Sequence, residues 1–200
     1  VPPEPKQKGE RNVVLYKNVQ NPTIAVAYKS VKAGDEDQYA FDLLSNILSE
    51  GQSSRLYKRL VYREQLVSSI SSGAYTPKDP GVFEVVASVK PGKPVSKVLS
   101  SVYSELYKMR KYLVKEKELE KAKNQVMKSY VDSLKTISGK ARAIAANEIL
   151  FGNYQELFND IDRYNSVTRE KIKEVAGKYL LPTQRSVVKV LPKVKRTNVE

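Results

Sequence analysis

Two hundred residues are enough for one compact domain with a sizeable core. The sequence has no His and no Cys, which excludes a Cys/His zinc site and any nucleophile that needs an imidazole base within this chain. No apolar run reaches the roughly 18 residues of a membrane span. The formal net charge of +13 leaves a basic nucleic-acid-binding domain as an alternative that rests on charge alone. Lysine alternates with glutamate over residues 115–121, which is typical of solvated helix faces, so we predict no nucleic-acid partner.

The chain is predicted to open with a linker and two strands. Residues 1–10 carry three prolines and no periodicity, which indicates a linker. Residues 12–17 and 23–30 are rich in β-branched and aromatic side chains and are separated by Asn21-Pro22. They are predicted to be strands that form a hairpin or lie side by side in a sheet.

The second of these strands is apolar or small on both faces. Ile24, Val26 and Tyr28 alternate with Ala25 and Ala27. This pattern predicts a strand that is central in its sheet and covered.

A helix is predicted to follow the turn at Ala33-Gly34. Asp35 is a candidate N-cap, and Gln38 stands three residues later, as in a capping box. Gly51 suits a left-handed position after the last turn. The apolar stripe of this helix is Ala40, Leu43, Leu44, Ile47 and Leu48.

The remaining elements place paired strands before a run of helices. This order predicts an α+β fold, a mainly antiparallel sheet with helices packed on one face. One domain is expected over residues 11–192, followed by a basic tail at 193–200 that we expect to fray. The predicted ranges are strands at 67–76, 82–90 and 185–191, a long helix after Pro94, and helices at 54–62, 117–136, 139–151, 154–164 and 169–179.

Three arginines are the candidate binding residues. Arg55, Arg59 and Arg63 lie at i, i+4 and i+8, so they share one face if the short helix extends to Arg63. Such a stripe is either a solvated face or a contact for an acidic partner or a peptide carboxylate. No residue is predicted to be catalytic or to bind a metal.

Several segments resemble the M16 (insulinase and processing-peptidase-like) zinc peptidases. The most specific is Gly51-Gln52-Ser53-Ser54-Arg55-Leu56-Tyr57, which is similar to the family's G-x-S-S-R-L-[FY]. It follows a helix ending L-L-x-x-I-L, as in the family. Three further segments that resemble family segments in the same order are Pro2–Pro5, Asp79–Phe83 and Leu119–Lys123.

The resemblance implies a half-domain of the LuxS/MPP-like metallohydrolase type. In this family one α/β unit carries zinc on an inverted motif, H-x-x-E-H, and a related unit without it closes a chamber around an unfolded peptide. Because this chain has no His, it resembles the second, non-catalytic unit. Zinc is then expected in the parent protein or a partner, held by an N-terminal zinc-binding domain of the same polypeptide or by a homologous subunit.

One departure concerns an Arg and a Tyr, seven residues apart, that help to position substrate in many second halves. The ungapped register from Gly51 places Val61 and Ser68 at those two positions. Direct clamping of a substrate by this pair is therefore not expected. The substitution also supports an alternative, a catalytically inactive structural or binding subunit of an M16-like hetero-oligomer. The resemblance favours the bacterial periplasm or cell envelope.

Overall fold

The computed structural model describes residue 5 and residues 7–193, so most of the predicted basic tail lies outside the described residues. One five-stranded sheet has the order β1-β5-β2-β4-β3. Three of its four strand pairings are antiparallel, and β1 pairs with β5 in parallel, which confirms a mainly antiparallel sheet. The strands are β1 (Arg11–Lys17), β2 (Thr23–Lys29), β3 (Val67–Tyr75), β4 (Val82–Val89) and β5 (Ser186–Pro192).

The first two strands are not neighbours, so the predicted hairpin or side-by-side pairing is wrong. The strand β5 lies between them, with Val13 opposite Val188 on one side and Ala25 opposite Val188 on the other. Strand propensity is a property of the local sequence, whereas the choice of partner depends on an element that stands much later in the chain.

Helices cover one face of the sheet, as predicted. The side chains of α1 and α6 meet the sheet at Phe41, whose ring centroid is 5.7 Å from that of Phe83 and 5.0 Å from that of Tyr179. The helices are α1 (Glu36–Ser49), α2 (Val95–Lys111), α3 (Glu116–Ser133), α4 (Ile137–Phe151), α5 (Asp160–Ser166) and α6 (Arg169–Tyr179), with 3-10 turns at Tyr154–Asn159 and Pro182–Gln184.

The helix α1 has the ends that its sequence predicts. The side chain of Asp35 accepts a hydrogen bond from the backbone N–H of Asp37 at 2.9 Å, and Gly51 is left-handed with φ +73°. The side chain of Gln38 differs from a standard capping box, because its Oε1 accepts from the N–H of Gly34 rather than from that of the N-cap. The predicted apolar stripe is buried along its whole length.

Two predicted helices have a different geometry. The range 54–62 becomes a π-helical turn at Tyr57–Arg63, where the N–H of Glu64 donates to the carbonyl of Arg59, five residues earlier, at 2.8 Å. The range 154–164 divides into a 3-10 turn and α5. Hydrophobic spacing does not separate either type from an α-helix, because each period differs from the α-helical period by less than one residue per turn.

Gln65 connects the π-helical turn to β3 in a left-handed conformation, with φ +49°. A left-handed backbone destabilises a residue that has a Cβ by about 1–2 kcal/mol. Glycine avoids this strain, but the greater entropy of its unfolded state lowers stability by about 0.5–1 kcal/mol. We therefore expect Gln65→Gly to raise the free energy of unfolding by roughly 0.5–1 kcal/mol, as measured by urea denaturation. The matched control is Gln52→Gly, since Gln52 has no positive φ and should lose stability. A loss at both positions would contradict strain at Gln65.

Candidate functional site

The three predicted arginines line one open cleft of about 670 Å³, between the π-helical turn, α2 and the start of α3. The spacing of the arginines therefore brings them together as predicted, although on a wider helical turn. Lys58, Lys108 and Lys115 add positive charge to the same cleft, which three glutamates balance only in part. We call it the basic cleft.

Two of the three arginines form ion pairs that connect elements of the fold. Arg55 makes a two-pronged ion pair with Glu118, through Nε to Oε1 at 2.8 Å and through its second terminal nitrogen to Oε2 at 2.7 Å. Arg59 bridges Glu64 at 2.8 Å and Glu105 at 3.0 Å. Glu118 and Glu105 are distant in sequence from these arginines, so the pattern of the arginines alone did not indicate this structural role.

Arg63 is the candidate that remains free for a ligand. It is exposed, and within residues 7–193 it makes no hydrogen bond or ion pair. Next to it, Tyr62 exposes 76% of its surface. Val61 packs against the core, and the hydroxyl of Ser68 donates to the carbonyl of Ser88 at 3.3 Å. Neither of these two residues brings a charge or a ring to the cleft.

A second cleft, of about 610 Å³, lies between α1, α3 and α5. Asp42 and Asn46 line it from α1, Gln125 from α3 and Asp160 from α5. Burial raises the pKa of Asp42 to about 6, although a hydrogen bond from Tyr164, 2.7 Å long, opposes the shift. Sequence reasoning missed this cleft. The available signal was the i, i+4 pair of polar residues, Asp42 and Asn46, beside the apolar stripe of α1. We call it the α1–α3 cleft.

The face of the sheet opposite the helices is uncovered, and this corrects the prediction that β2 is covered. The strand is central, but only its Ile24, Val26 and Tyr28 face is buried. On the other face Thr23, Ala25, Ala27 and Lys29 remain partly accessible. We call this surface the open sheet face; the register places on it the apolar side chains of Val13, Leu15, Ala25, Val86, Val188 and Val190.

The N-terminal segment crosses one corner of the open sheet face. Gln7 Nε2 donates to the carbonyl of Arg185 at 2.9 Å, and the hydroxyl of Ser186 lies 3.5 Å from Gln7 Oε1. Lys29 Nζ donates to the carbonyl of Pro5. The end of the predicted linker is therefore attached to the domain, while the apolar rows of β1, β2, β4 and β5 stay accessible.

The residues do not fit a zinc site. Zinc requires His, Cys and carboxylate ligands that converge, and the chain has neither His nor Cys. Among the described residues no three side chains with carboxylate ligands cluster closely enough to hold a metal ion. Of the helices in residues 7–193, none has the length and apolar character that crossing a bilayer requires.

Comparison with known proteins agrees with this arrangement. The chain is 28% identical over 190 residues to the zinc protease PqqE of Helicobacter pylori, which covers 94% of this chain and 43% of the relative. A solved protease structure from Helicobacter pylori superposes with a TM-score of 0.87 at 28% identity, covering 94% of this chain and 45% of that one. The chain thus spans less than half the length of these relatives.

A solved inactive peptidase domain from Bordetella parapertussis superposes with a TM-score of 0.79 at 24% identity, and this match covers 90% of our chain and 97% of that one. This likeness shows the fold. The family model described as the "Peptidase M16 inactive domain" matches residues 1–126. The chain therefore belongs to the M16 peptidase family, as an inactive domain of that family.

Proposed function

We propose that this chain is the non-catalytic half of a bipartite M16 zinc peptidase, and that it closes a peptide-enclosing chamber against a zinc-binding half. The observation that carries the proposal is the open sheet face. Its central strand has the composition of a strand covered on both sides, yet the described helices cover only one side. An apolar sheet surface of this kind is typical of one that packs against another domain.

The small side chains of the open sheet face suit close packing. Ala25 and Ala27 on β2 lie opposite Val86 and Glu84 on β4, so the middle of the surface combines small apolar side chains with one carboxylate. Burial of each additional 100 Å² of apolar surface contributes about 2.5 kcal/mol before the costs of association. Val13 and Leu15 extend the surface to the sheet edge, where they are 47% and 41% exposed.

In this proposal the chemistry belongs to the other half. Zinc bound there would supply the activated water of hydrolysis. This chain binds the peptide and excludes bulk solvent, and Arg63 in the basic cleft contacts a carboxylate of the substrate. Arg55 and Arg59, the other two predicted substrate-binding residues, line the same cleft and hold its shape through their ion pairs. A periplasmic or cell-envelope location stays a prediction.

The test is a substitution in the middle of the open sheet face of the full-length protein. Val86→Arg places a charge on the surface without touching the helix-covered core. We expect an intact fold by circular dichroism, at least about a 100-fold loss of association between the two halves expressed separately, and loss of zinc-dependent peptide hydrolysis. The matched control is Val131→Arg, because Val131 is 47% exposed on α3. If Val86→Arg associates and hydrolyses like the parent protein, the proposal is wrong.

A second candidate function is a structural subunit without a role in hydrolysis. It is favoured by Val61 and Ser68, which stand where many second halves have the substrate-positioning Arg and Tyr. The same experiment separates the two functions. Halves that associate through the open sheet face but hydrolyse no peptide in the presence of zinc would indicate the structural subunit.

A further inference from the structure

Asp42 in the α1–α3 cleft is a carboxylate without a counter-charge. Within residues 7–193 no Lys or Arg nitrogen lies within 4.0 Å of it, and its one hydrogen bond comes from Tyr164. The nearby cations are engaged elsewhere, since Lys128 pairs with Asp132 at 2.6 Å and Arg163 pairs with Glu156. A carboxylate in such surroundings is normally balanced by a cation.

Two amide oxygens in the same cleft also have no partner. The side-chain oxygens Asn46 Oδ1 and Gln125 Oε1 each expose less than 1 Å² and accept no hydrogen bond. Unpartnered buried acceptors are rare, because each costs about 1–3 kcal/mol. The terminal torsions of Asn and Gln are broad, so both amides can turn their oxygen toward a donor that enters the cleft. The two residues with unused acceptors thus line the same cleft as the carboxylate that lacks a cation.

We propose that the α1–α3 cleft binds a cationic group, the ammonium or guanidinium of a basic side chain in a peptide. Such a head group carries several N–H donors and no acceptor. It would satisfy Asp42, Asn46 and Gln125 together. A cleft of about 610 Å³ has room for the group and part of its alkyl stem. A metal ion fits less well, because no three carboxylates of the described residues converge there.

The identification of the cation as part of a peptide rests on the proposed function, but the cation site itself does not. The groups that face Asp42 from neighbouring elements are Asp160 and Tyr164 on α5, Tyr130 and Lys128 on α3, and Glu50 at the end of α1. Asp160 accepts from Tyr39 and lies 3.9 Å from Arg163. Of these two aspartates, Asp42 is therefore the one with unused capacity for a ligand, whereas Glu50 is exposed to solvent.

The test uses this chain alone, with ethylguanidinium and ethylammonium as probes. We follow the side-chain carboxyl signal of Asp42 by NMR during a pH titration, with equal concentrations of sodium chloride as the reference. A bound cation lowers the pKa of Asp42 from its value near 6, and we expect a decrease of at least about one unit with the stronger probe. A decrease no larger than that in sodium chloride would overturn the cation site.

Two variants check that the cleft is responsible. Asp42→Asn keeps an acceptor for the Tyr164 hydroxyl and should weaken probe binding at least about tenfold. Asp162→Asn removes the same charge from an exposed position on α5 and should change binding less than about twofold. Equal losses of probe binding in both variants would show non-specific attraction and overturn the proposal.

The identity of the ligand is tested with peptides. A lysine or arginine peptide should bind more tightly than its norleucine analogue. If it does not, the assignment to a peptide is wrong, whatever the outcome for the association of the two halves.

Discussion

Replacing Asp37 by asparagine is expected to lower the free energy of unfolding by about 3 kcal/mol at pH 7. The carboxylate of Asp37 is 5% exposed and accepts from Lys178 and from the Tyr179 hydroxyl, both at 2.8 Å. Its other oxygen lies 2.6 Å from Lys171 Nζ. The variant leaves both ammonium groups without their shared counter-charge and detaches the first turn of α1 from α6. Urea denaturation followed by circular dichroism measures the loss.

The same residue gives the domain a defined response to acid. Burial alone would raise the pKa of Asp37, but hydrogen bonds from Lys171, Lys178 and Tyr179 outweigh it and lower the pKa to about 2. Since this value lies below that of an unfolded aspartate, the stabilisation is present above about pH 4 and is lost as the pH falls toward 2. Asp37→Asn should therefore flatten the decline of stability in this pH window.

Glu36→Gln is the control for this prediction. Glu36 is the neighbouring carboxylate in the first turn of α1, but it is exposed. We expect its replacement to lower the free energy of unfolding by less than about 0.5 kcal/mol. An equal loss in both variants would mean that the charge near the helix N-terminus matters, rather than the contacts with α6.

The second large effect is expected from Arg55→Met, a loss of about 2–3 kcal/mol in the free energy of unfolding. The side chains of Arg55 and Glu118 are 17% and 28% exposed, so the pair is more protected than a surface salt bridge. Glu118 also accepts from the N–H of Lys115 at 2.9 Å, which caps α3. The pair thus joins the start of the π-helical turn to the start of α3.

A double-mutant cycle with Glu118→Gln isolates the pair. We expect a coupling free energy of about 1–2 kcal/mol. Arg63→Met is the matched control, because Arg63 lines the same cleft without a partner among residues 7–193, and it should change stability by less than about 0.5 kcal/mol. If Arg63→Met costs as much as Arg55→Met, the two arginines do not have the different roles that we assign to them.

The elements that local sequence determines were predictable, and α1 shows why. Its cap at Asp35, its apolar stripe and its end at Gly51 depend on residues within a few positions of one another. The spacing of the three arginines likewise predicted that they lie on one side of the turn, although it did not predict a cleft there. Their different roles were not predictable, because Glu118, which engages Arg55, stands 63 residues later, and Glu105, which engages Arg59 together with the nearby Glu64, stands 46 residues later.

The other differences between the predicted and the observed structure also arise from contacts between residues that are far apart in the sequence. The neighbours of β1 and β2 depend on β5, which lies at the other end of the described chain. The small residues on the second face of β2 predicted cover that the described helices do not provide, because the composition of a strand does not reveal which element, if any, packs on it. The α1–α3 cleft could not be predicted from the sequence, because its unpartnered acceptors can be identified only once the three helices have packed.

The position of β5 between β1 and β2 has a consequence for the growing chain on the ribosome. The two strands of the parallel pair are separated by about 175 residues, so the sheet cannot close until nearly the whole domain has been synthesised. Until then β1 has no partner strand, and its segment Val13-Val14-Leu15-Tyr16 offers a β-prone stretch to other nascent chains. We therefore expect chaperone dependence during synthesis to be concentrated on β1, and truncations that remove β5 to aggregate through it.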